Sequence, residues 1–89
     1  MKAIITVVGK DKPGIIASVS TTLAKNNVNI EDISQTIIQN NFSMFMVIEL
    51  ANCSMSISEL SKEFDETRKN FGVEVYLQLE EVFNSIYNV

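Results

Sequence analysis

The chain reads as an α+β protein: a ferredoxin-like βαββαβ sandwich with a four-stranded antiparallel sheet, two helices on one face and a short C-terminal helical tail. Three observations predict this. Residues 2–8, 28–39, 42–50 and 73–79 carry strand-type apolar patterning, while residues 13–26 and 56–72 between them carry helical spacing and helix-boundary residues. The first and third strand segments are apolar on both side-chain parities, as inner strands are, and right-handed crossovers between the paired strands then give the sandwich.

The first strand, Lys-Ala-Ile-Ile-Thr-Val-Val, is apolar on both faces. The helix that follows is predicted to begin at Pro13, whose missing N–H suits a first helical position, and to bury Ile15, Ile16, Val19 and Leu23. Ser18, Thr21, Thr22 and Lys25 face away from that stripe, and Asn26-Asn27 ends the helix. Residues 28–39 read as an irregular, partly exposed edge strand interrupted by Glu31-Asp32 and Ser34-Gln35-Thr36. Asn40-Asn41 is the expected hairpin turn, because Asn tolerates positive φ. The third strand sets Phe42, Met44, Met46, Ile48 and Leu50 on one face and Ser43, Phe45, Val47 and Glu49 on the other.

The second helix has a capping box, Ser56 with Glu59, and a Met55/Leu60 hydrophobic staple. Ile57, Leu60, Phe64 and Phe71 form its buried stripe, Lys62/Glu66 and Asp65/Lys69 are expected i,i+4 pairs, and Gly72 fits a left-handed stop. In the last strand Val73, Val75, Leu77 and Leu79 point inward and Glu74, Tyr76 and Gln78 outward. The tail, residues 80–89, collects Val82, Phe83, Ile86 and Tyr87 on one side of a short helix, which covers either its own sheet or a partner subunit.

Eighty-nine residues at 46% hydrophobic make one domain, 1–89, with a single core. A net charge of −4, with Arg68 the only arginine, opposes a nucleic-acid partner. No signal-peptide run and no membrane-spanning stretch is evident, and Cys53 reads as a loop thiol in a reducing compartment, so a cytoplasmic protein without a membrane partner is expected.

The segment 7–16, Val-Val-Gly-Lys-Asp-Lys-Pro-Gly-Ile-Ile, is the most informative in the chain. Gly14 lets the backbone pass close to whatever lies above it, and a helix start with free N–H groups receives a carboxylate or phosphate. Asp11 either accepts hydrogen bonds from those N–H groups as a plain cap or serves a ligand. Histidine is absent and the first loop has no cysteine pair, which opposes a soft-metal site. No nucleophile stands with an evident base, and Glu31 and Asp32 point to opposite strand faces, so no catalytic residue, metal or cofactor is expected.

The run Asp11-Lys12-Pro13-Gly14-Ile15-Ile16, followed by Leu23-Ala24 and Val28-Asn29-Ile30, closely resembles the signature of the ACT domain, an amino-acid-sensing regulatory module. Across its length, through Val7-Val8-Gly9-Lys10-Asp11-Lys12, Asp32-Ile33-Ser34-Gln35-Thr36 and Tyr87-Asn88-Val89, the chain resembles small stand-alone bacterial and archaeal ACT-domain proteins. It is also similar to the ACT modules of the glycine-cleavage transcriptional repressor. The resemblance implies a module that pairs with a second copy and binds a small amino acid where the first loop meets the interface. Asp11, Pro13, Gly14, Ile15, Asn29 and Ile30 fall at its ligand-binding positions, Asp11 toward the ligand's amino group or polar side chain and Asn29 reaching across the interface. Serine-sensing members carry a His where this chain has Gly9, a departure that counts against serine.

Two functions follow as expectations. One is a non-catalytic, homodimeric, amino-acid-responsive module acting in trans on an effector protein. The other is a ligand-free adaptor dimer that mediates protein–protein contact.

Overall fold

The fold is given by a computed structural model that describes residues 1–87, Tyr87 by its backbone alone. In chain order it has β1 (Lys2–Lys10), α1 (Ile15–Lys25), β2 (Asn29–Ile38), β3 (Asn41–Glu49), α2 (Ile57–Lys62), α3 (Asp65–Phe71), β4 (Glu74–Leu79) and α4 (Glu80–Tyr87). The strands form one antiparallel sheet in the order β2-β3-β1-β4, so β1 and β3 are the inner strands, as their two-sided apolar patterns require.

One face of the sheet meets the helices. Ala3, Ile5 and Val7 of β1 and Met44, Met46 and Ile48 of β3 bury against Ile15, Val19 and Leu23 of α1 and Leu60 and Phe64 of the second helical layer. Ser18 Oγ and the buried Thr67 Oγ1, 2.6 Å apart, join α1 to α3 with a hydrogen bond that gives the buried hydroxyl its partner. On the opposite face α4 turns back against β1 and β4. Phe83 meets Phe45 edge-on, centroids 6.0 Å apart. Ile4, which points away from the main core, is thereby reduced to 7% exposure. The tail therefore covers its own sheet; the expectations for the Tyr87 side chain and for Asn88-Val89 lie outside the described residues.

Three local expectations are corrected. First, α1 begins at Ile15: Gly14 is its N-cap, at φ 95°, and no side chain caps it. Pro13 is thus two residues ahead of the helix, and Asp11 does not cap it. The left-handed Gly14 turns the chain before the helix can start, which overrides the proline signal.

Second, the helix expected from Ser56 to Gly72 is two pieces. The Ser56–Glu59 capping box forms, and Gly72 takes the left-handed stop at φ 64°. Between them Arg68 Nη1 donates to the Ser61 carbonyl at 2.8 Å, the oxygen a continuous helix would use for its own ladder, and the chain restarts at Asp65. Arg68 also pairs with Asp65 at 2.8 Å, and that i,i+3 pair forms rather than Asp65/Lys69 or Lys62/Glu66.

Third, the hairpin turn lies one residue earlier than expected. Gln39 (φ 51°) and Asn40 (φ 68°) are both left-handed and Ile38 pairs with Asn41, a type I′ arrangement.

Edge strand β2 carries a bulge between Ile30 and Asp32, and every residue from Glu31 to Asn40 is exposed. A two-residue hairpin closes on a hydrogen-bonded pair, so alternation turns the backbone groups of Ile37, Gln35 and Ile33 to the outer edge. There the Ile33 N–H is met by Asp32 Oδ1 at 2.8 Å. Among the described residues no helix is long and apolar enough to cross a membrane.

Candidate functional site

The loop after β1 is built against the start of β4. A Cβ on Gly9 would lie 2.8 Å from Val73 Cγ1 and 3.2 Å from its Cα, so β1 passes too close to β4's entrance for any side chain at position 9. Lys12 Nζ donates to the Phe71 carbonyl at 3.0 Å, placing a cation at the C-terminal end of α3, and Phe71 packs beneath Gly14. On the other side the Asp11 N–H donates to the Asn40 carbonyl at 2.8 Å and ties the loop to the β2–β3 hairpin. Lys10 Nζ reaches Asn41 Oδ1 at 3.4 Å.

These ties leave a cleft of about 260 Å³ between the start of α1 and the edge strand β2. Asp11, Pro13, Gly14 and Ile15, four of the six residues at the expected ligand-binding positions, line it. The first α1 hydrogen bond runs from the Ser18 N–H to the Gly14 carbonyl, and no side chain caps the N–H groups ahead of Ser18. The Asp11 side chain makes no hydrogen bond or ion pair among the described residues. The Asp11 carboxylate shares the cleft lining with Lys12, whose ammonium is hydrogen-bonded to the Phe71 carbonyl.

Asn29 and Ile30 are not brought to this cleft within one chain. They begin β2 at the far end of the sheet, opposite Glu49 and Ile48. At roughly 3.3 Å per residue, Asn29 lies about 25 Å along the strand from Ile37. Glu31 beside them binds Lys2 Nζ at 2.7 Å, a bond and attraction that raise the Lys2 pKa.

Lys12 also lines the cleft, and sequence reading missed the rest of its wall, Ile16, Ala17, Gln35, Ile37 and Phe42. Ile33 and Ile37 share the helix-side face of β2 but stay 44% and 51% exposed, because α1 stops short of the sheet edge. The available signal was the alternation Ile33-Gln35-Ile37, too apolar for a solvated edge. Chemically the cleft offers a carboxylate for a cation, amide N–H groups for an anion and an apolar wall, and it holds no paired base and nucleophile.

A family model described as the ACT domain matches residues 2–78. The UPF0237 protein of Clostridium acetobutylicum is 51% identical over 89 residues, 100% of each chain. The UPF0237 protein of Methanopyrus kandleri is 40% identical over 88 residues, 99% of this chain and 98% of the relative. Among solved structures, an ACT domain protein from Streptococcus pneumoniae superposes with a TM-score of 0.79 at 41% identity, covering 93% of both chains. A formyltetrahydrofolate deformylase from Pseudomonas syringae pv. tomato superposes with a TM-score of 0.80 at 21% identity, over 88% of this chain and 27% of the enzyme, a likeness of fold alone.

Proposed function

The chain belongs to the ACT-domain family, and from that premise we propose that it is a non-catalytic regulatory module that binds a small amino acid in the cleft beside α1 and acts in trans on a partner protein. One observation carries the reading: the uncapped first turn of α1, opened by left-handed Gly14, stands beside the unengaged Asp11 carboxylate in one small cleft. The amide N–H groups suit a ligand carboxylate and Asp11 suits its ammonium.

Pairing with a second copy completes the site. Antiparallel pairing of two β2 edges centred on Gln35 sets Ile33 of each copy opposite Ile37 of the other, matching apolar to apolar on the helix-side face. It also carries Asn29 and Ile30 of the second copy toward the Gln39–Asn40 turn, whose carbonyl Asp11 already holds. The cross-interface role expected of Asn29 is compatible with that arrangement. Its check is sedimentation of Gln35→Pro, which removes an outward N–H without touching the β3 ladder: a folded monomer is expected, and a persisting dimer would place the seam elsewhere.

The function is tested by melting the chain with each of the twenty amino acids at millimolar concentration. Selective stabilisation that vanishes in Asp11→Ala is expected. Because Asp11 does not cap α1, the variant itself should melt within about 0.5 kcal/mol of the parent. A folded dimer that responds to no amino acid would favour the adaptor function instead.

A further inference from the structure

Resting on the amino-acid-binding reading above, we propose that the ligand of this cleft is an amino acid with a branched apolar side chain, of valine, isoleucine or leucine size, rather than one with a hydroxyl or a charge. The cleft is divided by chemistry between its two sides. The loop side holds Asp11 and the free N–H groups ahead of Ser18, which engage the ammonium and carboxylate that all amino acids share. The strand side, where the distinguishing side chain must go, is walled by Ile16, Ile37 and Phe42.

In the single chain Ile16 and Ile37 are 37% and 51% exposed, apolar surface that a ligand side chain, together with the paired copy at Ile37, would remove from water. Few groups on the strand side could recognise a polar side chain. Lys12 lines the loop side, with one of its donors on the Phe71 carbonyl, and position 9, from which β1 could have offered a polar group, is closed to any side chain by Val73. Gln35 is the one neutral polar side chain in the lining, and it sits on the outer edge strand, where pairing with a second copy sets it opposite its own counterpart. A hydroxyl placed against the two isoleucines would lose its water without a partner, which is unfavourable. The volume, about 260 Å³, is below the roughly 300–1,000 Å³ of drug-sized pockets, as suits a single amino acid.

The test is calorimetric titration of the full chain with leucine, isoleucine and valine against serine, threonine and aspartate. A preference of about tenfold or more for the branched aliphatic set is expected, since a methylene in an apolar pocket carries about that much discrimination. Ile37→Ser should erase the preference. Ile38→Ser, on the opposite face of the same strand, should leave it intact, which separates loss of the wall from general damage to β2. Serine, threonine or aspartate binding as tightly as leucine would overturn the apolar assignment while leaving the amino-acid-binding function in place. A leucine preference unchanged in Ile37→Ser would overturn the assigned wall. Failure of all six, and of the remaining amino acids, to bind would overturn both.

Discussion

Substitution of Gly9 by alanine tests the packing that shapes the loop. The added Cβ would meet Val73 Cγ1 at 2.8 Å and Val73 Cα at 3.2 Å. Comfortable carbon–carbon contact is about 3.5–4.0 Å, so a shift of the order of an ångström is demanded. A rotamer change at Val73 relieves the first contact and cannot relieve the second, which is with backbone. Overpacking of this kind costs about 2–3 kcal/mol. Relief from glycine's conformational entropy in a strand returns about 0.5–1 kcal/mol. The net loss is about 1–2.5 kcal/mol, or about 4–20 °C in Tm for a domain of this size. Thermal and urea melts of Gly9→Ala, Val73→Ala and the double variant form the assay. Val73→Ala alone should lose about 2 kcal/mol, from two buried methyls and the space they leave. Adding Gly9→Ala to it should cost less than it costs the parent, because the Cγ1 contact is gone while the 3.2 Å contacts with Val73 Cα and Cβ remain. Strictly additive losses, or a neutral Gly9→Ala, would refute the claim that Val73 closes position 9.

Arg68→Met should lose about 2–4 kcal/mol in a urea melt. The guanidinium bonds to the Ser61 and Val75 carbonyls, at 2.8 and 2.7 Å, and to Ser61 Oγ at 3.0 Å hold α2, α3 and β4 together, whereas its pair with exposed Asp65 contributes little. Arg68→Lys should recover only part of that, because a single ammonium cannot satisfy both carbonyls. Ser56→Ala should destabilise by about 1 kcal/mol through loss of the α2 cap. The hydrogen bond from the Ser56 N–H holds the Glu59 carboxyl below its ordinary pKa, so its stabilising effect is present above the usual glutamate value and fades as pH falls through the lowered one. The Tm gap between the parent and Glu59→Gln should therefore be full at pH 7 and shrink on titration toward pH 3; a gap constant with pH would contradict the assignment.

The fold was legible wherever a pattern is local. Two-sided apolar strands named β1 and β3 as inner, the Ser56–Glu59 box fixed the start of α2, and Gly72 marked the end of α3. The failures share a tertiary cause. Arg68 breaks a helix by taking the Ser61 carbonyl, seven residues before it, which no periodicity discloses. Pro13 signals a helix start, but the left-handed Gly14 after it delays the helix by two residues. At the site, Asp11 and Gly14 were readable because a loop with a special backbone advertises itself. Ile37, Gln35 and Phe42 were not, because their place beside α1 depends on the β2–β3 register and on how far α1 overhangs the sheet edge. Gly9 was noticed for the residue it replaces; that Val73 forbids any side chain there is a contact across 64 residues of chain.

The most direct test of the central claim is a two-dimensional amide NMR titration of the full chain with leucine. Saturable shifts are expected at Asp11, at Gly14 through Ala17 and at Gln35 and Ile37, and none in Asp11→Ala. Saturable shifts concentrated instead on the α4 face, or no shift with any amino acid at millimolar concentration, would contradict that claim.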